Sequence, residues 1–296
     1  MNHVKSKLAT VRSFSKASSP YAETKLGSTL LAASRERTDS EFASFQTTWM
    51  RRHIPDFDAD AFSVIYCQMD SNQMIAGARN EVFLNMRGNE LDVYRSVQHL
   101  DIIRPTIMRN IGTGIFNTDF HTLDAWRDQP MYQNYYEQLG LLHTVSIAYE
   151  IPFQTDLRLQ FTYFKSIETS FPQTLTKDEV EYLSIPFYFI WAQRWGVIDE
   201  VSCEKCLQLM IGLNPTQLFL LRDLIARPRY SLPLTAEKFG INPRMVNHYY
   251  NQVYDAILKQ LDVKYKIEGN ASKMVDLAKT FSFLHFIGDY RPNRGT

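Results

Sequence analysis

The chain has 296 residues, 45% of them hydrophobic and 13% aromatic, which excludes a disordered or low-complexity protein and suits one large domain or two ordinary ones. Lys and Arg balance Asp and Glu at 32 each, yet from Leu213 onward 12 Lys and Arg stand against 7 Asp and Glu, so the C-terminal third is basic. Three cysteines exclude a disulfide scaffold and favour a reducing, cytoplasmic compartment, and the most apolar run, Leu183 to Trp195, is too short to span a bilayer.

Residues 1–20 carry Lys5, Lys7, Arg12, Lys16 and five serines with no acid. They read as a disordered basic tail, with a transit peptide as the other reading. Glu23 to Ala33 has the pattern of a short helix. A second helix, capped by Asp39 or Ser40, carries Phe42, Phe45 and Trp49 on one face and ends before Pro55. Phe62 to Gln68 is rich in β-branched and aromatic residues and reads as a strand stopped by Asp70-Ser-Asn72, with another strand within Met74 to Asn85.

Leu91 to Met108 reads as partly helical and broken at Pro105, and Gly112-Thr-Gly114 as a loop. A helix is expected within Leu123 to Leu142, with Gly140 at its C-terminal end. Two alternating runs follow, His143 to Tyr149 and Leu157 to Phe164, separated by a turn around Pro152 to Asp156. Val145, Ile147 and Tyr149 share one face of the first; Leu157, Leu159, Phe161 and Tyr163 share one face of the second. Thr176 and Glu179 have the spacing of a capping box for a helix running to Gly196. The expected fold class of this half is α+β, an antiparallel sheet with helices on its faces, spanning residues 21–196. Residues 197–212 read as a linker.

The C-terminal part, residues 213–296, reads as all-α. One helix is expected from Leu213 through Leu218, Leu221 and Ile225, and a last one from Met274 to Phe286. Between them, Leu234 to Phe239 is a short helix ended by Gly240. Ile241 follows as a buried plug, Asn242 is a good N-cap and Pro243 a good first residue for the next helix. Val246, Tyr250, Val253 and Ile257 fall at helical spacing on the second helix, leaving Arg244, Asn247, His248 and Asn251 towards solvent. Two short helices joined by a glycine turn, the second with a polar outer face, outline a helix-turn-helix. An ordinary helical hairpin shares that outline.

The runs Leu213-Asn-Pro-Thr-Gln-Leu-Phe-Leu-Leu-Arg-Asp-Leu-Ile-Ala and Leu-Thr-Ala-Glu-Lys-Phe-Gly-Ile-Asn-Pro-Arg-Met-Val-Asn, with a closing Val275-Asp-Leu-Ala278, resemble the four-helix DNA-binding domain of LuxR-type transcription regulators. The resemblance covers about residues 213–286. Met245 and Val246 stand where that family has Thr-Val, Asn247 where it has Lys and Tyr249 where it has His. Positive charge is thereby lost from the helix that would approach DNA. Tyr-Tyr-Glu-Gln-Leu-Gly140 followed by two strands is similar in order to the family's GAF-like or autoinducer-binding sensory half. The Trp, Tyr and Asp pattern of its acyl-homoserine-lactone sensors does not map onto this chain.

The resemblance implies a quorum-sensing type of ligand-responsive transcription regulator that binds duplex DNA as a homodimer. Lys238, Asn242, Arg244, Asn247, His248 and Asn251 are its candidate DNA contacts. Amphipathic rings can line an apolar cavity and orient a ligand with their polar atoms, which makes Tyr66, Trp126, Tyr132, Tyr136, Tyr163 and Trp191 the candidate ligand contacts. Core packing explains the same rings. A second reading is a regulator homologue that has lost DNA and acts by binding another protein. No G-x-S-x-G, no H-E-x-x-H and no second partner pair for the lone Cys203/Cys206 C-x-x-C is present, so no enzyme, metal site or cofactor is expected. His121 and Asp124 read as a capping or surface pair.

Overall fold

The computed structural model describes residues 26–54, 57–86, 89–110, 112–151, 154–166, 171, 177–213, 217 and 232–260. The basic tail and the two outer helices expected near residues 213–225 and 274–286 lie wholly or almost wholly outside them. The chain divides into two compact units: Ala33–Tyr188, and Met1–Ala32 together with Phe189–Thr296. The dividing points fall inside α1 (Leu26–Arg35) and α6 (Lys177–Arg194).

The first unit is built on a five-stranded antiparallel sheet in the order β2-β1-β5-β4-β3. Its strands are β1 (Ala61–Met69), β2 (Ile75–Leu84), β3 (Ile115–Phe116), β4 (Leu141–Ile151) and β5 (Gln154–Ser166). The sequence predicts all four long strands, β4 and β5 from alternation and β1 from its β-branched and aromatic content. The two-residue β3, which pairs Ile115 with Ser146, is too short to show either signal.

Side chains alternate across the sheet. One face carries Phe62, Val64, Tyr66, Val145, Ile147, Tyr149, Leu159, Phe161 and Tyr163, all buried. Against it lie α2 (Asp39–His53) and the first part of α6. Phe42 and Trp49 approach Phe187 with ring centroids 6.0 and 5.2 Å apart, and Tyr149 stacks on Tyr188 at 4.6 Å. Gln46 Nε2 donates to the Tyr163 hydroxyl at 2.8 Å, satisfying two polar groups inside this aromatic layer. Each of these large rings stabilises the fold by about 1.5–3 kcal/mol through burial. α2 starts one residue earlier than the Asp39 or Ser40 cap predicts. Thr38 is the cap, because Glu41 three residues on completes a reciprocal capping box.

The other face is covered by the segment from α3 (Glu90–Val97) through the 3₁₀ turn Gln98–Leu100, α4 (Arg104–Arg109) and α5 (Leu123–Arg127) to a π-helical turn at Tyr132–Tyr136. Pro105 does not break a helix here. It occupies the first turn of α4, where its missing N–H costs nothing. The single helix expected between Leu123 and Leu142 is three short pieces, because Asp128-Gln-Pro130 interrupts it. Gly140 ends the last piece with φ of 67° and turns the chain into β4. Gly112, φ 71°, lets the Gly112-Thr-Gly114 loop fold back so that its N–H donates to Ala148 at 2.7 Å.

The second unit includes α7 (Glu200–Gly212), α8 (Leu232–Phe239) and α9 (Pro243–Gln260). Residues 197–212 are therefore not a bare linker. Cys203, Cys206, Leu207 and Leu213 recur at helical spacing and are buried, which gives α7 a core-facing stripe. α6 is buried all round in its later part, where Phe187, Tyr188, Phe189, Ile190 and Trp191 are fully buried in succession. Among the described residues, no helix is long and apolar enough to cross a membrane.

Candidate functional site

Because the sheet's back face is filled with rings, its front face holds the polar residues. β1 turns Ser63 and Ile65 forward, β4 turns Ser146, and β5 turns Gln160, Thr162 and Phe164. Between this face and the covering helices lies a small cavity of about 40 Å³. Phe83, Leu91, Tyr94, Asp101, Arg104, Ile107, Tyr135 and Tyr136 complete its walls.

The polar groups form two networks. In the first, Asp101 Oδ1 accepts from the N–H groups of Ile103 and Arg104 at 2.9 and 3.0 Å, and its Oδ2 accepts from the Tyr94 hydroxyl at 2.6 Å. The same hydroxyl accepts from Arg104 Nη1 at 3.2 Å. Arg104 is 2% exposed, and its Nε and Nη2 have no protein acceptor. In the second, Gln160 Nε2 donates to Thr162 Oγ1 at 2.9 Å, and Thr162 shares a hydrogen bond with Ser146 at 3.0 Å. Gln160 Oε1 is left without a protein donor. Unmet buried polar atoms are uncommon in folded proteins, and those on Arg104 and Gln160 face this cavity.

Burial sets the ionisation of the surrounding groups. It pushes the phenols of Tyr94 and Tyr136 well above their ordinary value, and Tyr135 upward as well, with Glu90 as a second cause. All three stay neutral hydroxyls that can donate. Burial likewise raises the Cys67 thiol, outweighing the nearby Arg104 and Arg158 guanidinium groups, so it remains protonated.

The six rings proposed from sequence are not one constellation. Tyr136 lines the cavity. Trp126 and Tyr132 belong to the apolar cluster beneath it, with Trp126 5.6 Å from the Tyr136 ring and 6.3 Å from that of Tyr132. Tyr66 and Tyr163 lie on the sheet's back face, the first under Arg79 and the second bonded to Gln46. Trp191 is in the second unit, 4.7 Å from Trp195. Sequence reasoning missed Tyr94, Asp101, Arg104 and Gln160. A signal for Gln160 was present: the face of β5 opposite Leu157, Leu159 and Phe161 carries Arg158, Gln160 and Thr162, too polar for plain core packing.

In the second unit, Gly240 takes φ of 59° and ends α8, with its N–H donating to Glu237 at 3.1 Å. The Ile241 N–H returns to Ala236 at 3.0 Å, although Ile241 itself is only half-buried. Asn242 Oδ1 accepts from Arg244 N–H at 2.8 Å and opens α9. Val246, Tyr250 and Val253 are buried, whereas Asn242, Arg244, Asn247, His248 and Asn251 are exposed. Lys238 lies on α8; its side chain is outside the described set. Met245 and Leu234 are exposed apolar residues on the same helix pair. Among the described residues, no group of three or more His, Cys, Asp or Glu side chains is placed to hold a metal ion.

No family model and no curated protein sequence matches the chain. Among solved structures, it is similar to Escherichia coli SdiA crystallised in space group P6522, at 13% identity and a TM-score of 0.39, over 87% of this chain and 97% of that one. It is also similar to SdiA in complex with octanoyl-rac-glycerol, at 13% identity and 0.37, over 90% and 96%.

Proposed function

We propose that the chain is a transcription regulator in which α8 and α9 form a DNA-binding helix-turn-helix and the cavity in the sheet unit receives a small-molecule signal. The observation that supports it is the division of α9 into two faces. Val246, Tyr250 and Val253 are buried while Arg244, Asn247, His248 and Asn251 form one exposed polar row. A groove-reading helix needs that arrangement: N-terminal side chains free to reach base edges and a buried stripe that holds them rigid. Asn242 would bond a phosphate through its exposed side chain, and Lys238 and the basic tail would add attraction to the backbone. Ligand binding shifts the population of DNA-competent homodimers, each protomer reading one half of a two-fold site.

Titration of the full-length protein with mixed-sequence duplexes at several salt concentrations tests the proposal. Affinity should fall steeply as salt rises, by counterion release. Arg244→Ala should weaken the selected site about tenfold or more, the equivalent of roughly 1–3 kcal/mol for a base contact.

A second reading has its own observation. Met245 and Leu234 expose apolar surface on the helix pair, and Arg244 is the only Lys or Arg between Pro243 and Val253. Such a surface suits a protein partner, and the chain would then act by binding another regulator. No duplex affinity even at low salt would select this reading.

A further inference from the structure

We infer that the cavity ligand is a small monoanionic carboxylic acid with an apolar body, its carboxylate held side-on by Arg104. This deepens the ligand-sensing part of the proposed function and rests on it.

Arg104 Nη1 donates to Tyr94, and the guanidinium also lies beside the Cys67 thiol, a weak acceptor. The two nitrogens left over, Nε and Nη2, form the side-on edge of a guanidinium, whose parallel N–H groups match the two oxygens of a carboxylate. Arg104 is 2% exposed and lines the cavity. A buried guanidinium with two of its three nitrogens unmet is costly, and a bidentate anion offsets that cost. Asp101 does not do so, because its oxygens are engaged by the Ile103 and Arg104 N–H groups and the Tyr94 hydroxyl. Cys67 is no counter-ion either, since burial keeps its thiol protonated.

The charge of the ligand follows from the same walls. Arg104 is the one cation among the described residues lining the cavity, and Asp101 lines it too. A dianion such as a phosphate monoester would face that carboxylate with only one guanidinium to balance it. A monoanion meets the same guanidinium with half of that repulsion. The remaining surface is apolar at Ile65, Phe83, Leu91, Ile107 and Phe164, which calls for a hydrocarbon or aromatic body. Gln160 Oε1, still lacking a donor, favours acids that also carry a hydroxyl or N–H.

The test is calorimetric titration of the full-length protein at neutral pH with hexanoate and phenylacetate, each paired with its carboxamide. The two acids separate an aliphatic from an aromatic source; the amides keep shape and remove charge. In at least one pair the acid should bind about tenfold or more tighter, as expected for a charge-assisted bidentate pair. Arg104→Lys keeps a charge but not the fork, and should cut that preference to about threefold or less. If the lysine variant does not fold, the ratio in the unaltered protein decides alone. Equal binding of acid and amide overturns the anion assignment while leaving a small-molecule cavity. No binding of any of the four at millimolar concentration overturns the assignment outright. The duplex titration, done without ligand, judges the DNA-binding half of the regulator reading separately.

Discussion

At the scale of single residues, the phenol of Tyr94 carries more than its size suggests. Its hydroxyl donates to Asp101 and accepts from Arg104, so one oxygen joins the acid and the base of the cavity wall. Tyr94→Phe keeps the ring and its edge-on contact with Tyr135 but leaves two buried charged groups each short of a partner. The expected loss is about 1–3 kcal/mol, measured from the midpoint and slope of urea unfolding. The triad also explains why the site was only partly legible beforehand. Tyr136 could be nominated because an amphipathic ring beside a strand pair is a pocket candidate in its own right. Arg104 could not, because a basic residue just before a proline reads as surface; its burial comes from Asp101 capping its own N–H and Tyr94 folding over it.

At the scale of elements, what was legible is what repeats. β4 and β5 are legible by alternation, β1 by its β-branched and aromatic content, and the pairing of α8 with α9 by Gly240, Asn242 and Pro243. The misreadings fall where one residue outweighs a pattern: Pro130 divides a run that otherwise has helical spacing, and Pro105 starts a helix it was expected to break. α7 is less legible because the buried stripe of Cys203, Cys206 and Leu207 spans little more than one turn. Gly140 illustrates a turn chosen for the backbone alone. Its φ is 67°, yet an added Cβ would meet nothing within 4 Å. Gly140→Ala should therefore cost about 1–2 kcal/mol from conformation without any clash, and Gly140→Asn less, since asparagine tolerates the left-handed region. Chemical denaturation of the two variants side by side checks the order; a larger loss in the asparagine variant would point to crowding instead.

At the scale of the whole molecule, the two compact units carry different tasks in the proposed regulator, with the cavity in Ala33–Tyr188 and the helix pair in the other. Calorimetric unfolding should resolve two transitions, and Tyr94→Phe should lower the midpoint of one and leave the other in place. A single transition shifted as a whole would mean that the units melt as one. The same division carries a warning for anyone who wishes to separate sensor from reader. A cut between Tyr188 and Phe189 would pass through the middle of α6, between residues that are fully buried on either side. Each fragment would end in a frayed apolar half-turn, prone to stick to its neighbours. Fragments that retain the helix whole, through Arg194 or beyond, are the ones to express, and a protease given the native protein should leave the peptide bonds of Phe187 to Trp191 intact.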